Sequence, residues 1–193
     1  MNQGQYQFER GLNYGGSTPR QQTRFLVEEI GPLLKGYSGN ILFLDVHTGL
    51  GETGTLHVMT GLKPASAMLA SARSMLGSLE PERIKLTSSS DPGFYADTGD
   101  VIDFVPTLAA NPDKALALTM EFGTLGTGTL QQLEAASRMV LENQAHFYGC
   151  SEPAVCRQVR TDFLELFNPS DPQWRTAVAR QADRLLSVVA ARF

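Results

Sequence analysis

The chain predicts an α/β fold, a partly parallel, mixed sheet flanked by helices and followed by a helical C-terminal tail. Two short, nearly continuous apolar runs, Ile41 to Gly49 and Ala115 to Thr124, have the length and texture of strands buried on both faces. Between and around them lie segments with helical apolar spacing, and beyond Thr129 every segment reads as helix. No internal repeat is present.

Along the chain, residues 1 to 17 are polar and glycine-rich, an arm that needs a surface to pack on. Thr18 and Pro19 are placed to start a helix whose stripe is Phe25, Leu26, Ile30, Leu33 and Leu34, ending near Lys35 and Gly36. After the first strand, Gly49, Gly51 and Gly54 predict a mobile or tightly turned loop, and Thr55 to Met59 a second extended run. Pro64 to Leu79 has helical spacing, with Met68, Leu69, Ala72, Met75 and Leu76 on one side. The stretch from Glu80 to Gly99 reads as a long exposed loop. Val101 to Leu108 is a short element, and Asn111-Pro112-Asp113 turns the chain into the second apolar run. Helices then follow from about Thr129 to Gly149, from a Ser151 cap with Pro153 in the first turn, and from Asp171-Pro172 towards Phe193.

The 193 residues, 42% hydrophobic, suit one domain spanning 1–193. A net charge of −4 with scattered lysines and arginines argues against a nucleic-acid partner. The N-terminus has no secretory pattern and no apolar segment approaches membrane-spanning length, so no membrane partner and a cytoplasmic location are expected. Cys150 and Cys156, six apart, match neither a redox pair nor a zinc knuckle, and two separate reduced thiols are expected.

The chemistry gathers at the strand ends. Asp45 and His47 alternate onto one face of the first strand, so the carboxylate is placed to orient the imidazole, and Thr48 and Gly49 carry the chain into the loop. Glu121, among apolar neighbours at the end of the second run, is a carboxyl whose pKa burial would raise towards that of a general base. The bland alternatives are a histidine bonded to its own loop and a glutamate at a strand terminus. Tyr95, in the long loop, is a candidate hydrogen-bond donor to substrate. The run Gly123 to Gly128 sits where phosphate-binding loops sit, but lacks their glycine order and any following Lys-Ser/Thr. His57 and His146 read as structural or solvent-facing.

Several separated motifs carry a resemblance. Gln5 to Gly16, Asp45-Val46-His47-Thr48-Gly49-Leu50-Gly51, Thr119 to Thr124, Leu141 to His146, and the tail Leu164 to Phe167 with Asp171 to Arg175 resemble, in this order, a bacterial branch of the zinc carboxypeptidase (carboxypeptidase A-like) metallopeptidases. The resemblance implies the C-terminal portion of that fold, zinc as cofactor, and hydrolysis of a peptide or amide substrate. It implies that His47 is similar to the third zinc ligand, that Glu121 is similar to the catalytic glutamate, and that Tyr95 takes the place of a mobile tyrosine.

One departure limits it. The family's other two ligands come from a His-x-x-Glu motif, and its substrate contacts from an Asn-Arg pair, in a region expected to lie ahead of this chain. None of the three histidines has a glutamate three residues on: those positions hold Leu50, Thr60 and Gly149. The expectation is therefore a zinc-dependent metallohydrolase incomplete as this chain, with a complementing N-terminal half or a homo-oligomer as partner. The alternatives are a non-catalytic remnant acting in binding or assembly, and a small phosphate-ligand binding domain.

Overall fold

The computed structural model describes residues 4–60, 70, 73–74, 76–87, 94 and 99–191. Its centre is a four-stranded mixed sheet in the order β1-β4-β2-β3, formed by β1 (Ile41–Gly49), β2 (Leu56–Thr60), β3 (Ile84–Thr87) and β4 (Ala115–Gly123). β1 runs parallel to β4, β4 antiparallel to β2, and β2 parallel to β3. Helices flank the sheet, and α4 (Thr129–Tyr148), α5 (Pro153–Phe167) and α6 (Pro172–Ala190) make up the tail. The expected fold class is the one observed.

The two apolar runs play unequal parts. β4 is buried along all nine residues, as its composition predicts. Among the described residues β1 is instead a terminal strand of the sheet, with Val46 63% exposed, so the expectation that it is buried on both faces fails. Composition alone could not rank the two, because which strand lies inside is set by the order of pairing.

One face of the sheet holds the core. Leu56 and Val58 of β2, Ile84 of β3, and Leu116, Leu118, Met120 and Phe122 of β4 pack with Leu76, Leu79 and the α6 residues Trp174, Leu185 and Val189. Buried aliphatic and aromatic side chains of this kind each contribute roughly 1.5–3 kcal/mol. α6 is tied down by polar contacts as well: Trp174 Nε1 donates to the Gly123 carbonyl at 2.8 Å, and the buried Gln181 donates to the Gly54 carbonyl at 3.0 Å.

Several sequence expectations change. The first helix begins at Gln21 after an Arg20 cap, not at Thr18, and consists of α1 (Gln21–Phe25), a π-helical turn (Leu26–Ile30) and α2 (Gly31–Gly36). Pro32 lacks the N–H that would close the helical bond onto the preceding turn, which accounts for a widened turn just before it. Its presumed core stripe is only partly inward: Phe25 and Leu33 are exposed, and Leu26, Ile30 and Leu34 are half-buried. The supposed long loop contains a 3-10 turn (Glu80–Glu82) and the strand β3, whose four residues are too few for periodicity to announce. Glu152, not Ser151, occupies the cap of α5, with Pro153 as its first residue. The helix expected over 64–79 lies mostly outside the described residues, as does Tyr95.

Cys150 and Cys156 are joined by a disulfide, contrary to the expectation of separate thiols. Their spacing bridges a chain reversal: Cys150 lies in the turn after α4 and Cys156 in the first turns of α5, which sets their Cα atoms 5.6 Å apart, within bonding geometry. Disulfides persist in oxidising compartments, so the bridge counts against the expected cytoplasmic location. Among the described residues no helix is long and apolar enough to cross a membrane.

Candidate functional site

The site forms on the sheet face opposite the core, where β1, β4 and β2 end in loops. Residues paired across neighbouring strands point to the same face. The register pairs His47 with Glu121 across β1 and β4, Glu121 with His57 across β4 and β2, and His57 with Lys85 across β2 and β3. One polar row therefore crosses the sheet, with Glu121 between two imidazole-bearing positions.

Glu121 is only 5% exposed. Its Oε1 accepts the backbone N–H of Leu50 at 2.9 Å. Burial is the main cause of a pKa pushed up to about 7, and the nearby Asp45 adds to it; the Leu50 N–H and His47 pull the other way. A carboxyl group so placed exchanges its proton near neutrality, the property a general acid–base group needs.

His47 Nε2 lies 2.8 Å from Asp45 Oδ2, with the imidazole about half exposed and the carboxylate mostly covered. The strand's alternation produces this pair, since residues two apart share a face. Thr48 points to the other face, where its hydroxyl donates to the Phe167 carbonyl at 2.6 Å and so anchors the end of α5 beside the loop.

The loop from Gly49 to Gly54 closes over the end of β4. Gly126 N–H donates to the Gly51 carbonyl at 2.9 Å, Thr124 Oγ1 to the Gly49 carbonyl at 2.9 Å, and Gly54 N–H to the Gly123 carbonyl at 3.1 Å. Such approach requires glycine at two positions. A Cβ on Gly123 would sit 2.2 Å from the Glu52 carbonyl oxygen, and one on Gly51, whose φ is +101°, would sit 2.4 Å from the His57 ring.

His57 is buried and held at both ring nitrogens: Nε2 accepts the Glu52 N–H at 3.2 Å and Nδ1 lies 2.8 Å from Thr87 Oγ1. The Glu52 bond makes Nδ1 the protonated nitrogen and the donor to threonine. Its ring lies 4.9 Å from that of Phe94. The Glu52 carboxylate reaches Lys85 at 3.2 Å and Arg83 at 3.0 Å, which hold its pKa below the usual range. Sequence reading found His47, Asp45 and Glu121 but missed the parts of Leu50, His57 and Thr87. The glycine spacing signalled a turn; no local pattern shows which backbone N–H that turn presents to a carboxylate. His146 is exposed on α4.

The donor set falls short of a zinc site. Catalytic zinc takes three protein ligands, and among the described residues no group of three or more His, Cys, Asp or Glu side chains is placed to hold a metal ion. The Gly123 to Gly128 run is likewise no open phosphate cradle, because the N–H groups of Gly123, Thr124 and Gly126 already donate to the Thr55, Gly49 and Gly51 carbonyls.

The fold and this row of groups define an α/β protein with a buried carboxyl beside an imidazole–carboxylate pair at the ends of adjacent parallel strands. The chain belongs to the family described as "Protein of unknown function (DUF2817)", whose model matches residues 1–181. No curated protein and no solved structure matches it significantly.

Proposed function

We propose that this chain carries the acid–base part of a hydrolytic site for peptide or amide bonds, of the zinc carboxypeptidase type, with Glu121 as general base and His47 as the one zinc donor it contributes. The observation that supports this most is the register pairing of a buried Glu121 with His47 at two neighbouring strand ends. In this reading the Glu121 carboxylate removes a proton from the attacking water and returns it to the departing amine, while Asp45 orients the His47 ring. The described residues do not complete a zinc site, so no step is assigned to the metal.

The test has two arms. Zinc retained after dialysis against one equivalent is counted by elemental analysis in the wild type and in His47→Ala. Hydrolysis of blocked dipeptide amides is followed against pH in the wild type and in Glu121→Gln. The expected results are loss of retained zinc without His47, and a fall of ~10²-fold or more in rate without Glu121. Folded protein that retains no zinc and hydrolyses none of the amides rejects the reading for this chain.

A second reading has its own support. The Leu50 N–H bond makes Glu121 a fastener of the site loop, the role it would keep in a non-catalytic remnant used for binding or assembly. Under that reading Glu121→Ala, which removes the acceptor, lowers stability while zinc and amides have no effect on the protein.

A further inference from the structure

We propose that two copies of this chain join through β1, running antiparallel about a twofold axis at Val46, so that Asp45 of each copy lies opposite the partner's His47. Such pairing is independent of the hydrolytic reading, since it uses the sheet edge and not the chemistry at Glu121.

Among the described residues the sheet has two outer strands, and they are unlike. β3 has four residues and carries the exposed Lys85. Shortness and a lysine are ordinary means by which a sheet edge is kept from pairing. β1 is nine residues long and contains no proline, lysine or arginine, and its one carboxylate, Asp45, already meets His47 at 2.8 Å. Val46 stands 63% exposed near its middle. The contacts of β1 with helices lie above and below the strand: the Thr48 hydroxyl reaches the Phe167 carbonyl on the core side, and on the site side Val101 of α3 (Val101–Phe104) shares a hollow with Phe25, Phe43 and Asp45. A long edge without protection, apolar at its most exposed position, is one that a further strand covers.

Charge decides what that strand is and where it sits. A twofold axis perpendicular to the sheet keeps the two site faces on one side, so Phe43, Asp45 and His47 of one copy meet the same set of the other. An axis at Asp45 would overlap the whole strand, but it sets two carboxylates directly opposite each other, which is destabilising. An axis at Val46 leaves Ile41 and Leu42 unpaired and sets carboxylate against imidazole twice, once on each side of the axis. It also covers the two exposed Val46 side chains with each other. One strand supplies both halves of this match, the self-complementarity that a closed twofold interface requires. His47 of each copy then stands beside its own Asp45 and across from the partner's Asp45, so each candidate site is bordered by a residue of the other chain.

Sedimentation and cross-linking of the full chain test this. The wild type should sediment with twice the mass of one chain. Residues directly opposite in an antiparallel ladder lie within disulfide reach, whereas diagonal neighbours, roughly 7–8 Å apart, do not. The wild-type cysteines are held in the Cys150–Cys156 bridge, so an added thiol is free to report the register. Under mild oxidation, covalent dimers are expected from Val46→Cys and from an equal mixture of Asp45→Cys and His47→Cys, but not from Leu44→Cys or from Asp45→Cys alone. Asp45→His and His47→Asp each set like groups across the axis, so each should lose the doubled mass by itself and regain it when the two are mixed. A single-chain mass for the wild type at high concentration overturns the pairing. So does a doubled mass in which Leu44→Cys or Asp45→Cys cross-links and Val46→Cys does not, which places the axis elsewhere, or one in which no added thiol cross-links, which places the interface on another surface. Val46 is a surface position, so should both charge variants fail to fold, the cross-link pattern decides.

Discussion

Glu121 lies directly across from His47 on the neighbouring parallel strand, and its carboxylate closes the loop that follows His47 by accepting the Leu50 N–H at 2.9 Å. One side chain thus joins the candidate chemistry to the architecture of the strand ends, which makes its protonation a matter of stability as well as of function.

The first prediction concerns pH. The Glu121 pKa stands at about 7 in the folded chain against 4.5 when free. Between those values the folded state binds more protons than the unfolded one, so stability falls as pH rises from about 4.5 through about 7. The loss approaches 3 kcal/mol, by order of magnitude. Urea unfolding of the metal-free protein across this range should show the decline in the wild type and a flatter profile in Glu121→Gln. Parallel profiles for the two proteins contradict the assignment.

The loop closure makes a second prediction. Gly123→Ala places a methyl group against the Glu52 backbone, which cannot move as a side-chain tip could, so the variant should lose on the order of 2 kcal/mol or more. Trp174→Phe should cost about 1 kcal/mol, because the Gly123 carbonyl loses its indole donor and keeps only the Gly54 N–H. Thermal and urea melts measure both. Wild-type stability in Gly123→Ala would mean the loop does not approach β4 so closely.

The disulfide gives a third. Cys150→Ser opens a short loop between α4 and α5, and by the chain-entropy relation the change is worth about 2 kcal/mol. Thiol counting on the unfolded protein without reductant should find no free thiols in the wild type and one in the variant. Two reactive thiols in the oxidised wild-type preparation contradict the bridge.

The sheet edge gives a fourth. Among the described residues β1 is a terminal strand, nine residues long with Val46 exposed, the kind of edge along which chains pair. Light scattering should show mass rising with concentration, and Val46→Lys should suppress the rise. A single monomer mass at high concentration contradicts this.

How much of this was legible beforehand varies by element. Long or punctuated segments were read well: β4, the turn at Asn111, and α6 opening at Asp171, whose side chain accepts the Gln173 N–H as a capping residue should. The pair of Asp45 and His47 followed from strand alternation alone. β3 escaped because four residues hold too little pattern, and the helix at Thr18 was misplaced because the cap lies two residues further on.

By itself the sequence determined the longer strands and helices, and that an imidazole and a carboxyl each stand at a strand end, because apolar periodicity and chain punctuation are local properties. Only the tertiary structure decided that β4 lies between β1 and β2, that Glu121 faces His47 on one side and His57 on the other, and that Cys150 meets Cys156. Strand order and register are set by how whole elements pack and pair, an energy summed over residues distant in the chain, and no local stretch of sequence carries that sum.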